Sequence, residues 1–160
     1  MPQKAVVIMG SKSDAEFCEK IRSSLSVYSI STDLRIASAH RTPEYLLKIL
    51  REYANSGDQI VAVTVAGLSD ALSGVVAAQR LFPVVACPPD LDKYELPKVF
   101  STAYTPSDVP VAFVSDPAKA ANFVAQIFAL SNKELADFIA KTTQEKKTQI
   151  EKSDSELNRK

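Results

Sequence analysis

The stretch Ser38-Ala39-His40-Arg41-Thr42-Pro43 holds the only histidine of the chain. An imidazole moves protons near neutral pH, and a neighbouring guanidinium can fork onto a phosphate. The run before it, Leu34-Arg35-Ile36-Ala37, alternates as a strand does, and Pro43 suits the first position of a helix. His40 therefore sits at the carboxyl end of a strand, the edge where open α/β sheets bind ligands. A histidine met alone in a loop more often just caps a backbone group. Here the rest of the chain argues for chemistry.

Two further stretches carry similar residues. Gly10-Ser11-Lys12-Ser13-Asp14 follows an apolar run and opens a helix, with capping patterns in Ser11/Asp14 and Ser13/Glu16. Free amides and the positive end of the helix dipole suit a phosphate there, although a well-made helix start needs the same residues. Residues 66–74, Ala-Gly-Leu-Ser-Asp-Ala-Leu-Ser-Gly, come after another apolar run. Gly67 lets backbone approach a ligand closely. Ser69 is expected to cap the next helix, with Asp70 as a favourable charge in its first turn.

The elements that must position these stretches follow from periodicity. Apolar runs at 5–9, 34–37, 59–65, 83–87 and 111–114 read as five strands. The helix after the first strand carries Phe17, Cys18, Ile21 and Leu25 on one face. The helix after Pro43 carries Leu46, Leu47, Leu50 and Tyr53 inward and ends at Asn55-Ser56-Gly57. The third holds Leu72, Val75, Val76 and Leu81. Residues 90–108, with Tyr94, Pro97, Phe100, Tyr104 and Pro106, read as irregular, a functional loop or contact surface. A helix from Pro117 and another from near Ser131 follow. The last twenty residues hold ten charged side chains, so part is expected to stay helical and part to fray.

Composition bounds the rest. The chain of 160 residues suits a single domain, 1–160, with its core in 4–130 and a C-terminal helix and charged tail in 131–160. Charge balances at 19 basic against 19 acidic residues, which argues against nucleic acid as a partner. No apolar run reaches transmembrane length, so no membrane partner is expected. No basic-then-apolar leader precedes the first strand, and a cytoplasmic location is expected. Cys18 and Cys87 have neither metal nor redox spacing and read as buried thiols.

Five strands alternating with helices give a parallel sheet covered on both faces. We expect a three-layer, doubly wound, flavodoxin-like α/β fold of strand order 2-1-3-4-5, with an extra C-terminal helix. That order places strand 1 between strands 2 and 3, so the loops after all three meet on one edge. Their hydroxyls, amides, arginine, imidazole and two carboxylates suit a small phosphorylated substrate and proton transfer by His40. The residues alone do not name that substrate.

Met9-Gly10-Ser11-Lys12-Ser13-Asp14 and Ser38-Ala39-His40-Arg41-Thr42-Pro43, at this separation, resemble the aminoimidazole ribonucleotide carboxylase and mutase family of purine biosynthesis. The resemblance runs from about residue 4 to residue 140. One branch moves a carboxylate from the exocyclic amine of 5-(carboxyamino)imidazole ribonucleotide to ring carbon 4, and its third loop carries a second histidine where Ala71 stands here. The other, class II, carboxylates 5-aminoimidazole ribonucleotide directly with carbon dioxide. Its third loop is similar to Ala66-Gly67-x-Ser69-x-Ala71-Leu72-Ser73-Gly74, and Cys87-Pro88-Pro89 also looks like that branch. The resemblance thus implies the direct carboxylase, with the mutase as alternative. Leu68 and Asp70 stand where that branch usually has arginine and asparagine, Tyr104 and Asp108 where it has arginine and glycine, and Arg41 is the mutase-like choice.

The resemblance also implies roles. Ser11, Ser38 and Arg41 would hold the substrate phosphate and Asp14 the ribose hydroxyls. Gly67, Ser69 and Ser73 would line the base and carboxylate end, and His40 would be the general acid/base. No metal, biotin or other cofactor is expected, and the partners are the ribonucleotide, carbon dioxide and further copies of the chain in a homo-octamer. The competing class is a non-catalytic flavodoxin-like binding domain. Phosphorelay receivers need clustered acids after strand 1 and an acceptor aspartate after strand 3, where Gly10-Ser11 and Ala66-Gly67 stand. Flavin carriers need aromatics that the second and third loops lack.

Overall fold

The computed structural model describes residues 1–159; of residues 94–96 it describes the backbone alone. The described residues fall into two compact units, Met1–Val124 and Ala125–Lys160. The first contains a five-stranded parallel sheet made of β1 (Gln3–Met9), β2 (Ser31–Ile36), β3 (Gln59–Val65), β4 (Val84–Ala86) and β5 (Ala112–Phe113), in the order β2-β1-β3-β4-β5. This is the expected doubly wound order. Central strands buried on both faces need almost wholly apolar side chains, and Ala5–Met9 and Ile60–Val65 supply them, with Thr64 the buried polar exception.

Period two divides those strands between two cores. Val6, Ile8, Ile60, Ala62 and Val84 face α2 (Pro43–Ala54) and α3 (Ala71–Ala78), packing against Leu46, Ile49, Leu50, Leu72 and Val76. The intervening residues of β1 and β3 face the other side, where α1 (Ala15–Ser26) packs on β1 and β2 and buries Cys18, Ile21 and Leu25. The three layers are thus present. On α2 the buried set is Leu46, Ile49, Leu50 and Tyr53, with Leu47 only half-buried, so the apolar stripe includes Ile49, which the sequence reading omitted.

Register carries the site. Met9 of β1 lies beside Ile36 of β2 and Val65 of β3. The ladder continues one residue further, with Ala37 N donating to Met9 O at 3.0 Å and Gly10 N to Val65 O at 3.0 Å. All three chains therefore leave the sheet at one level, side by side.

Four local expectations are corrected. β2 begins at Ser31 rather than 34, because its polar start is held by side-chain bonds from β1 and α2. Asp33 accepts from Lys4 Nζ at 3.1 Å and from Tyr53 Oη at 2.9 Å. β4 and β5 are shorter than expected, with Val114 N adding one bond to Ala86 O beyond the strand end. Residues 91–103 form a helix, α4 (Leu91–Ala103), with Pro97 inside it. Proline removes one helical bond, but Lys98, Ser101 and Thr102 anchor this segment to the loop after β3. The side chain of Tyr94 lies outside the described residues. Asp108 has φ 65°, the left-handed conformation that glycine adopts without strain.

α5 (Pro117–Ala129) spans the boundary between the units. In the second unit α6 (Lys133–Leu157) is one continuous helix, so the helical part of the charged tail reaches Leu157. Asn132 caps it, accepting from Leu135 N at 3.1 Å. Its polar sequence is supported by i,i+4 pairs such as Lys133–Asp137 at 2.9 Å. No helix of the described residues is long and apolar enough to cross a membrane.

Cys18 and Cys87 are both free and fully buried, and burial pushes each thiol up to about 12. The thiolate is the reactive form. A thiol-disulfide dye near neutral pH is therefore expected to label neither cysteine in the native protein and both in denaturant; rapid labelling of the native protein would contradict this packing.

Candidate active site

The loops after β1, β2 and β3 enclose one cavity of about 390 Å³. Its wall is made by Gly10, Ser11, Ser13 and Asp14 from the first loop and 38–41 from the second. From the third come 66–69, with Leu72 behind them. A cavity of this size lies in the range used for small ligands.

Each loop is shaped by its own hydrogen bonds. In the first, Ser11 Oγ accepts from Ser13 N at 3.2 Å and from Ser13 Oγ at 2.9 Å, closing a single 3-10 turn over Lys12–Asp14 before α1 starts. Asp14 is the N-cap of α1 but makes no side-chain cap bond, which leaves its carboxylate on the cavity wall. In the second loop Ser38 and Thr42 brace each other. Ser38 N donates to Thr42 Oγ1 at 3.0 Å, and Thr42 N donates to Ser38 O at 3.0 Å. Arg41 N donates to Ser38 Oγ at 3.2 Å. The brace presents His40 and Arg41, both exposed, at the cavity rim.

In the third loop Asp70, not Ser69, caps α3. Asp70 Oδ1 accepts from Ser73 N at 3.0 Å, and Ser69 is left exposed on the cavity wall. A carboxylate outcompetes a hydroxyl for this place because two helices supply donors to it. Ser73 Oγ lies 2.7 and 2.6 Å from the two Asp70 oxygens, and Thr102 Oγ1 of α4 donates to Oδ2 at 2.6 Å. The single Ser73 proton goes to the carboxylate, so Thr64 Oγ1, 2.6 Å away, donates to Ser73. Asp70 N donates to Ser101 Oγ at 2.7 Å.

Seven of the eight expected site residues therefore share one cavity: Ser11, Asp14, Ser38, His40, Arg41, Gly67 and Ser69. Ser73 is not among them. It is fully buried and spends its hydroxyl on Asp70. Asp70 is likewise buried, at 4 % exposure, and paired rather than facing a substrate. Leu68 lines the cavity and is largely exposed. Tyr104 stands in solvent, stacked on Phe100 with ring centroids 5.3 Å apart.

One residue escaped the sequence reading altogether. Lys98 of α4 is 2 % exposed, and its Nζ donates to Gly67 O at 2.6 Å and to Pro89 O. Burial holds this ammonium below the usual lysine range, opposed by Asp90, Asp14 and Asp70. Burial also pushes the Asp14 carboxyl above the usual range, and Lys98 pulls it back. The available signal was the spacing of Lys98, Ser101 and Thr102, which is i, i+3, i+4 and marks one helical face.

The AIR carboxylase family model matches residues 4–149. The phosphoribosylaminoimidazole carboxylase of Archaeoglobus fulgidus is 44% identical over 154 residues, which cover 96% of this chain and 84% of that protein. The enzyme of the same name from Treponema denticola is 36% identical, covering 96% of this chain and 97% of that one. The crystal structure of Treponema denticola PurE superposes with a TM-score of 0.91 at 35% identity, covering 98% of this chain and 99% of that chain.

Proposed function

The chain belongs to the AIR carboxylase family, and we propose that its cavity carboxylates 5-aminoimidazole ribonucleotide at ring carbon 4 in purine biosynthesis, with His40 moving the proton. The observation that carries this reading is the meeting of His40, Arg41, Ser38, Ser11, Asp14, Gly67 and Ser69 around one cavity. Arg41 brings a fixed positive charge, Ser11 and Ser38 bring hydroxyls, and together they suit the phosphate end. Asp14 suits the ribose hydroxyls as an acceptor. Gly67 and Ser69 are assigned to the base and carboxylate end. Ser73 is assigned to holding Asp70 instead of touching substrate.

The reaction can run without a metal or biotin. The amino group makes carbon 4 of the ring an enamine-like nucleophile. Its electron pair attacks carbon dioxide, a carbon–carbon bond forms, and one C=O π pair moves onto oxygen to give a carboxylate. Carbon 4 then holds both the new carboxylate and its original hydrogen. His40 removes that proton, the C–H pair restores the aromatic ring, and exposed His40 passes the proton to water. A positioned base of this kind contributes ~10²–10⁴-fold. The octameric assembly and cytoplasmic location expected for the family belong to the same proposal, and light scattering of the purified chain tests the first.

Assaying the purified protein on 5-aminoimidazole ribonucleotide and on its carboxyamino derivative, each with and without bicarbonate, separates the branches. Turnover of the aminoimidazole compound that rises with carbon dioxide is expected. Turnover of the carboxyamino compound alone would identify a mutase, and turnover of neither would overturn the functional reading.

A further inference from the structure

α4 stands behind the third loop and holds it at both ends. At one end Lys98 Nζ binds Gly67 O at 2.6 Å, and at the other Ser101 and Thr102 bind the Asp70 backbone and carboxylate at 2.7 and 2.6 Å. Gly67 separates the buried ammonium from the cavity. On the cavity side of Gly67 lies Asp14, whose Oδ1 would be 3.5 Å from a Cβ placed on that glycine. A lysine with 2 % exposure is costly to bury unless carboxylates compensate it. Asp90, Asp14 and Asp70 do so, and Asp14 alone of these three lines the cavity.

We propose, on the substrate assignment above, that Lys98 is a positioning residue: from behind the third loop it fixes Gly67 and supplies the positive charge that Asp14 needs to receive the ribose. This cation does not touch substrate. It is buried whereas Leu68, next to Gly67, is largely exposed, so the cation bonded to the third loop comes from α4 rather than from the loop's own side chains.

The other groups facing Asp14 are few. The Ser11 backbone and the Ser13 side chain favour its ionised form from its own turn, Asp90 repels it from the segment before α4, and the Cys18 thiol sits near it on α1. His40 and Arg41 share the cavity wall. The positive charge of Lys98 favours the ionised Asp14 carboxyl against the cost of burial. Without it, Asp14 takes a proton at higher pH and ceases to be a full acceptor. Substrate binding then weakens as pH falls, while the proton transfer at carbon 4 is untouched.

The test compares wild type, K98M, D14N and the double variant, all as the full chain. K98M is expected to raise KM for the aminoimidazole ribonucleotide ~10–100-fold, the weight of one charge-assisted hydrogen bond, with kcat retained. Its acid limb of kcat/KM should move to higher pH, and so should the Asp14 carboxyl titration followed by carbon-13 NMR. In the D14N background K98M should add little. An equal KM loss in that background, or an Asp14 titration unmoved by K98M, would overturn the proposal. Should K98M not fold, the wild-type spectrum decides. An Asp14 carboxyl ionised at neutral pH supports the assignment, and one still protonated there contradicts it. The NMR reading needs no turnover, so an inactive wild type would count against the functional reading while Lys98 is still judged.

Discussion

His40→Asn is expected to leave a folded protein that binds the ribonucleotide and does not carboxylate it. The imidazole is exposed at the cavity rim, so its removal takes nothing from the core. The loop conformation is set by Ser38 and Thr42, whose mutual bonds do not involve the His40 side chain. Arg41, Ser38 and Ser11 remain to hold the phosphate. Asparagine has a similar reach but an amide that neither accepts nor releases a proton at neutral pH. The proton on carbon 4 then has no carrier, and kcat should fall by at least ~10²–10⁴-fold. Steady-state kinetics checks the loss, and calorimetric titration of the ribonucleotide checks that affinity is kept. A variant that turned over at the wild-type rate would remove His40 from the chemistry.

Asp70→Ala is expected to destabilise the fold by about 3 kcal/mol, because several buried donors lose one acceptor together. Ser73 N, Ser73 Oγ and Thr102 Oγ1 all donate to this carboxylate, and both residues are buried. Lys98 also loses one of the charges that compensate its burial. Asp70→Asn should cost less, since the amide oxygen still accepts from Ser73 N while its nitrogen can donate to a hydroxyl. Urea unfolding of the three proteins measures the difference. A midpoint for Asp70→Ala equal to wild type would mean that the network contributes nothing net.

The sheet was legible because strands buried on both faces must be almost wholly apolar, as Ala5–Met9 and Ile60–Val65 are. Strand order then placed three polar loops together before any distance was known. That Ser11, His40, Arg41 and Ser69 meet at one cavity was legible for the same reason, since they are exposed in those loops and have no packing role. What the sequence concealed is the layer behind the loops. Ser73 reads as a substrate ligand only by resemblance, and Asp70 as a charge in the first turn of its helix, when their own loop alone is considered. They bond to each other, and Thr64 of β3 and Thr102 of α4, the latter far away in sequence, complete the network. Pro97 argued against a helix at 91–103, yet the tertiary bonds of Lys98, Ser101 and Thr102 outweigh one missing backbone bond. β2 extends beyond its apolar pattern for a like reason, since polar Asp33 is held by Lys4 and Tyr53 rather than by apolar packing. Local pattern reports apolar burial well and reports long-range polar pairing hardly at all.

The departures in the third loop now have a physical setting. Asp70 does not repel a substrate carboxylate from within the cavity, because it is buried among hydroxyls and faces Lys98. Leu68 is exposed and carries no charge, while Lys98 of α4 bonds the carbonyl of Gly67 just before it. The loop is thereby tied to a helix through side chains rather than left to its own turn.

The most direct measurement follows the hydrogen on carbon 4. Aminoimidazole ribonucleotide labelled there with deuterium, incubated with bicarbonate and the wild-type protein, should lose its label to water one for one with carboxylate formed, and neither event should occur with His40→Asn. Label lost at the wild-type rate in that variant, or carboxylate formed with the label kept, would contradict a mechanism in which this imidazole carries the proton.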